Sequence, residues 1–296
     1  MQYAKSEWGM AGKAVKAVAE GGGERSPLFI QSLEKALFVL EAFSMAEQFL
    51  GLAEIVKITG LDKPSAQRCV HTLVQSGYLE KDPQTGRFSL GKKVLDLSFH
   101  YLRANPLVVA ATPVLLQLRR DCGERTNLSL FDGTTVVYAV RLHGKREYPQ
   151  YSTLIGRRMP TFCSAGGRAT LARLPDDEVR AILARSDLRP LTPQTLIDPE
   201  AIMAKIEEGR RLGYGFVNGE SSPGELVVAA PVIDVSGRPV AAVHIAGSIA
   251  KWQPEEFERT FAPQAMEAAN FLSHGNGSLP IPSFGGRRTP HGVSDG

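Results

Sequence analysis

Residues 60–90 read GLDKPSAQRCVHTLVQSGYLEKDPQTGRFSL, a stretch that holds one two-faced helix, one hairpin and a marked excess of positive charge. At about 100° per residue, Ala66, Cys69, Val70, Leu73 and Val74 fall in one arc of the helix, whereas Ser65, Gln67, Arg68, His71, Thr72 and Gln75 fill the other. Gly77 stops the helix, and YLEK and RFSL then read as short strands joined by the turn chemistry of DPQTG. Upstream, Leu33, Ala36, Leu37 and Leu40 recur with the helical period, and Leu52, Ile55 and Val56 mark a short second helix that Gly60 ends. Helix, helix, turn, helix and hairpin in this order describe a winged helix-turn-helix.

The polar arc of the third helix is either a solvated face or a binding face, and charge decides between them. A solvated helix carries Glu beside Lys in supporting pairs. From Lys63 to Lys93 the basic residues Lys63, Arg68, Lys81, Arg87, Lys92 and Lys93 meet only Glu80 and Asp82. Arg, Gln, Ser, Thr and His are the side chains that reach base edges and phosphates, and a helix has the width to enter a major groove. Ser65, Gln67, Arg68, His71 and Thr72 are therefore expected at DNA, with Lys63 beside them. Lys81 on the wing strand and Arg87 at the wing tip are expected on phosphates.

Around this stretch, 296 residues with 43% apolar content suffice for one large domain or two ordinary ones, and a formal charge of +3 does not by itself require nucleic acid. Cys69, Cys122 and Cys163 are far apart and read as free thiols in a reducing compartment. No stretch reaches the roughly 20 apolar residues of a membrane span, and the first 30 residues lack a secretory pattern, so a cytoplasmic location without a membrane partner is expected.

Residues 1–27 and 275–296 are Gly-, Pro- and Ser-rich or charged and are expected to be disordered tails. Residues 28–92 form the winged helix-turn-helix in this reading, and GKKVLDLSFHYLRAN ahead of Pro106 supplies a linker helix over 93–106. Residues 107–274 make a second domain. In it, Thr112 and Pro113 look like the start of a helix, Asp132-Gly133 and Ser236-Gly237 turn hairpins, Asp198 and Pro199 open another helix, and Pro263 bends the last one. Interleaved strands and helices with hairpins argue an α+β fold in which an antiparallel or mixed sheet is flanked by helices.

Ser164, Ala165, Gly166 and Gly167 precede a helix. They offer backbone N–H groups to an anion, or they form a tight turn that needs small residues. The G-x-S-x-G elbow of a hydrolase is absent because Phe162 stands where its first Gly would be, even though His244 and Asp234 could complete a triad on paper. Gly21-Gly22-Gly23 precedes no β-α-β unit, and the six His lack ligand spacing. The chain is thus expected to be no enzyme and to need no cofactor or metal. A winged helix that binds protein instead of DNA remains the rival reading.

SLEKALFVLEAF followed by residues 60–97 resembles the N-terminal winged helix-turn-helix of the IclR family of bacterial transcription regulators, and FCSAGGRATLA with GYGFVNGESSPGELVVAAPVIDVSGRPVAAVHIAG resembles its C-terminal effector-binding domain. The resemblance spans roughly 32–272 and implies a GAF/PAS-like second domain. It also implies a homodimer or homotetramer on a palindromic double-stranded operator, whose transcriptional effect responds to a small organic acid. In relatives the ligand lies against the helix start and the facing strands, which by position selects Ala165, Gly166, Gly167, Val217, Asn218, Val227, His244 and Ala246 here. Acidic residues that relatives carry are replaced by Val217 and Asn218, and small hydroxyls or thiols by Val227, His244 and Ala246. The resemblance therefore implies a more apolar pocket, with room for a larger, aromatic acid and a place in a catabolic operon. His244 is expected as the acid's adjustable polar partner, and if it must be protonated to pair, affinity should fall as pH rises above about 6.5. Arg141 and Arg146 are further candidates for the acid, Tyr148 and Tyr151 for dimer contacts.

Overall fold

A computed structural model of the chain describes residues 26–44, 47–144, 155–275 and 284. The chain divides into two compact units, residues 1–101 and 102–296.

In the first unit α1 spans Gln31–Glu41, α2 Leu52–Thr59 and α3 Lys63–Gln75. Gly60, left-handed at φ 70°, ends α2. Asp62 caps α3 by accepting the Ser65 N–H at 2.8 Å, with Pro64 in the first turn. The wing pairs β1 (Leu79–Lys81) with β2 (Phe88–Leu90) in antiparallel register, Leu79 opposite Leu90. A bridge from Leu50 to Phe88 ties the wing to the start of α2. Val39, Leu50, Ile55, Val70, Leu73 and Leu79 make the core. On α1 it is Val39 that is buried, while Leu33 and Leu37 stay 56% and 49% exposed, in line with exposed Leu28 and Ile30. The next helix, α4 (Lys93–Ala104), buries none of its residues and exposes Leu95, Leu97, Phe99 and Tyr101.

The second unit is built on a six-stranded antiparallel sheet of order β5-β4-β3-β8-β7-β6. Its strands are β3 Arg125–Asp132, β4 Thr135–Leu142, β5 Arg158–Pro160, β6 Gly215–Asn218, β7 Glu225–Ile233 and β8 Pro239–Ser248. One face, with Leu128, Val228, Val243 and Ile245, packs on α5 (Pro106–Cys122) and α9 (Pro254–Ser273). The other face packs on α6 (Ala165–Leu171), behind which α7 (Asp176–Arg185) and α8 (Pro199–Leu212) build a second apolar layer.

Two expectations need correction. Helix α5 begins at Pro106, not at Thr112-Pro113, because Asn105 caps it by accepting the Leu107 and Val108 N–H groups at 3.1 and 3.2 Å. Val108, Ala111, Leu115 and Leu118 then form one buried stripe that runs straight through Pro113, so burial outweighs the single backbone bond that the proline removes. The segment expected to be a C-terminal tail contains Phe284, which is 1% exposed and belongs to the main core, its N–H donating to Asp121 Oδ2 at 2.7 Å.

Candidate functional site

Helix α3 buries Ala66, Val70 and Leu73 against the first unit's core and turns Lys63, Gln67, Arg68, His71 and Thr72 outward. Gln67, Arg68, His71 and Thr72 line a groove of about 800 Å³ whose other wall is Lys81, Gly86 and Phe88 of the wing. Lys81 extends over the Phe88 ring with its ammonium 5.8 Å from the centroid, which leaves the charge at the groove edge. Thr72 Oγ1 donates to the Arg68 carbonyl at 3.0 Å.

Two residues expected at DNA are placed otherwise. Ser65 is buried, since it lies four and eight positions before Cys69 and Leu73 and shares their face. Arg87 donates from Nε and Nη2 to the Phe49 carbonyl at 3.1 and 2.7 Å, and from Nη2 to Glu54 Oε2 at 2.7 Å. The Gly51 N–H, and then Arg87, hold the Glu54 carboxyl below its ordinary range. Arg87 thus fastens the wing to α2 instead of standing free at a tip.

In the second unit, register places side chains in rows on the α6 face of the sheet. Arg125, Ala246, Val227 and Val217 form one row, Arg141, Asn127, His244 and Ala229 the next, and Tyr138, Ser129 and Ala242 the third. Ala165 and Ala169 of α6 pack on the small residues Val217, Val227, Ala229, Ala242 and Ala246. Of the residues expected at an effector, Ala165, Gly166, Val217, Val227, His244 and Ala246 meet here, Gly167 faces Thr161 and Ser164, and Asn218 is exposed. Arg146, Tyr148 and Tyr151 lie outside the described residues.

The glycines of SAGG answer to packing. A Cβ on Gly166 would come within 2.3 Å of His244 Cε1, and one on Gly167 within 2.2 Å of Thr161 Cα. Ser164 Oγ accepts the Gly167 N–H at 3.3 Å and donates to the Pro160 carbonyl at 2.7 Å, so the helix start is already capped. His244 is 1% exposed, with Nε2 2.7 Å from Ser129 Oγ and its ring 5.5 Å from that of Tyr138. Burial first, then the charges of Arg141 and Arg125, push the imidazole down to about 3. It is therefore neutral from mildly acid to alkaline pH without a ligand, so the protonated form on which a pH-dependent affinity is conditional is not preformed.

A family model described as Bacterial transcriptional regulator IclR C-terminal matches residues 99–274, and a second, IclR helix-turn-helix domain, matches 32–83. The chain belongs to the IclR family. Among relatives of this IclR-type regulator, the Pca regulon regulatory protein of Pseudomonas putida is 32% identical over 248 residues, 84% of each chain. HTH-type transcriptional regulator XynR of Escherichia coli is 31% identical over 84% of this chain and 98% of its own. An IclR family regulator from Brucella abortus shares the fold with TM-score 0.75 at 27% identity, over 88% of this chain and 98% of that one. An IclR homologue of Microbacterium hydrocarbonoxydans complexed with 4-hydroxybenzoate does so with TM-score 0.65 at 23% identity, over 82% and 98%.

These relatives are regulators and not enzymes, and the IclR-type chain described here is a DNA-binding transcriptional regulator. Its local chemistry agrees. Ser164 is a helix cap, His244 pairs with Ser129, Asp234 is occupied in its own turn with Ser236 and Arg238, and burial pushes the Cys163 thiol up to about 12. The polar residues Arg125, Asn127 and Ser129 escaped the sequence reading, although their alternation in RTNLSLFD is the period-2 signal of a polar strand face.

Proposed function

We propose that this regulator reads its operator with Gln67, Arg68, His71 and Thr72 of α3, and holds the flanking phosphates with Lys63 and Lys81. The observation that carries this reading is the row of exposed polar side chains lining one wall of the α3–wing groove. Arg87 is left to a structural task by its bonds to Phe49 and Glu54. With operator fragments selected from a random DNA pool by the full chain, Arg68→Ala should cost about 1–3 kcal/mol and flatten discrimination against mutated sites, because a bidentate base contact carries sequence information. Lys81→Ala should weaken specific and random DNA alike. Equal losses on both DNAs for Arg68→Ala, read by fluorescence anisotropy, would remove the base-reading role.

One winged helix reads only a few base pairs, so a dimer or tetramer on two half-sites about one helical turn apart supplies the specificity. Exposed Leu28, Ile30, Leu33 and Leu37, and Leu95, Leu97 and Tyr101 on α4, supply apolar surface for a second copy. Light scattering of the full chain at micromolar concentration should report a multiple of the single-chain mass; a monomer with and without DNA would refute the assembly.

The second unit is proposed to take a small organic acid on the α6 face of the sheet, where His244, Val227 and Ala246 sit beside Arg141 and Arg125. Arg141 and Arg125 add to burial in disfavouring a charged imidazole there, and Arg125 is itself paired with Glu225. The homologue complexed with 4-hydroxybenzoate shares this fold, and an aromatic acid of a catabolic operon is the ligand type this reading favours.

A further inference from the structure

The α6 face of the sheet has two halves of different chemistry. Over β6, β7 and β8 it is made of small apolar side chains, and α6 lies on them. Over β3 and β4 it carries Arg125, Asn127, Ser129, Tyr138 and Arg141. His244 stands at the seam, with Gly166 of α6 directly against its ring and Asn127 as its register partner on β3.

Two buried atoms at this seam have no hydrogen-bond partner, Asn127 Oδ1 and His244 Nδ1. Asn127 and His244 are each 1% exposed. Leaving a buried polar atom unsatisfied costs about 1–3 kcal/mol, so such atoms in a native protein require an explanation, of which a bound group is one. Register partners on one face stand about 5 Å apart, so one small group can serve both atoms. The required group is constrained by what the neighbours already do. Ser129 Oγ occupies Nε2, which leaves Nδ1 as donor or acceptor according to the tautomer, and the amide oxygen only accepts. A carboxylate accepts only and cannot satisfy Asn127 Oδ1. A hydroxyl has one proton and free lone pairs, so it can donate to the amide oxygen and accept from Nδ1–H, the tautomer in which Ser129 Oγ donates to Nε2.

Resting on the reading that this face binds an organic acid, we propose that Asn127 and His244 form a hydrogen-bonding station for a hydroxyl group, and that the effector is a hydroxylated carboxylic acid. Its acid end lies toward Arg141, in the same row as Asn127 and His244.

The test is calorimetry of the full chain with matched acids, benzoate against its 2-, 3- and 4-hydroxy derivatives and propionate against lactate. The hydroxylated member of at least one set should bind tenfold or more tighter than its parent. Asn127→Leu, which keeps the bulk and removes the amide, should bring the two within about twofold. Ser129→Ala, a small change that releases the imidazole's other nitrogen, should reduce the advantage severalfold and keeps the test open should the leucine variant not fold. Parent and hydroxy acids binding equally, or an advantage that survives in both variants, would overturn the station while leaving the acid reading in place. No binding by any member would overturn both.

Discussion

Glu220→Ala is expected to cost about 3–5 kcal/mol of stability, because it strands a guanidinium that is almost wholly buried. Arg168, on α6, is 1% exposed and donates from Nη1 and Nη2 to the two Glu220 oxygens at 2.7 and 2.6 Å, with Nε on the Phe162 carbonyl at 2.9 Å. Glu220 is in turn fixed by the segment ahead of α8: its carbonyl accepts from Thr195 Oγ1 at 2.7 Å and its Oε2 from the Leu196 N–H at 3.3 Å. The pair therefore anchors α6, whose Gly166 covers His244, to the chain on both sides of it. Urea unfolding of the full chain gives the loss directly. The double variant Arg168→Met with Glu220→Leu should recover much of it, since removing both charges leaves none unpaired. A loss below about 1 kcal/mol for Glu220→Ala would mean that water or another group compensates Arg168 and that the pair does not hold the helix.

This ion pair marks the border between what the sequence discloses and what it hides. Helix α3 was legible because its two arcs differ in both polarity and charge, and everything that defines it lies within one helix. Even there, polarity misled at Ser65, whose spacing to Cys69 and Leu73 places it on the buried side, and at Arg87, whose partners Phe49 and Glu54 lie more than 30 residues upstream. In the second unit, hairpins at Gly133 and Gly237 were readable from the turn residues, which adopt the positive φ such turns demand. The seam was not. Asn127 meets His244 through pairing of strands 117 positions apart, Arg168 finds Glu220 across 52, and no local period encodes either. SAGG suggested an anion site, and only the distance from Gly166 to His244 shows that close packing requires the small residue.

Phe284→Ala should remove about 3–5 kcal/mol, the usual range for deleting a buried phenyl ring. It belongs to the same core cluster as Val108, Leu118 and Leu272, from the two helices on that face of the sheet, so the loss of the ring leaves a cavity in the core that α5 and α9 share. The backbone of Phe284 is held as well, its N–H donating to the Asp121 carboxylate at the end of α5. Asp121→Asn keeps an acceptor but removes the charge, and should cost about 1 kcal/mol, the difference between a charged and a neutral acceptor. Because the ring sits in the core cluster to which both α5 and α9 contribute, part of the cost of its loss appears as easier local opening of that face. Hydrogen exchange at Leu118 and Leu272 should therefore speed up more in Phe284→Ala than at Val70 of α3. Unchanged unfolding in Phe284→Ala, with exchange at Leu118 as slow as in the parent, would show that the ring contributes nothing to the core it touches.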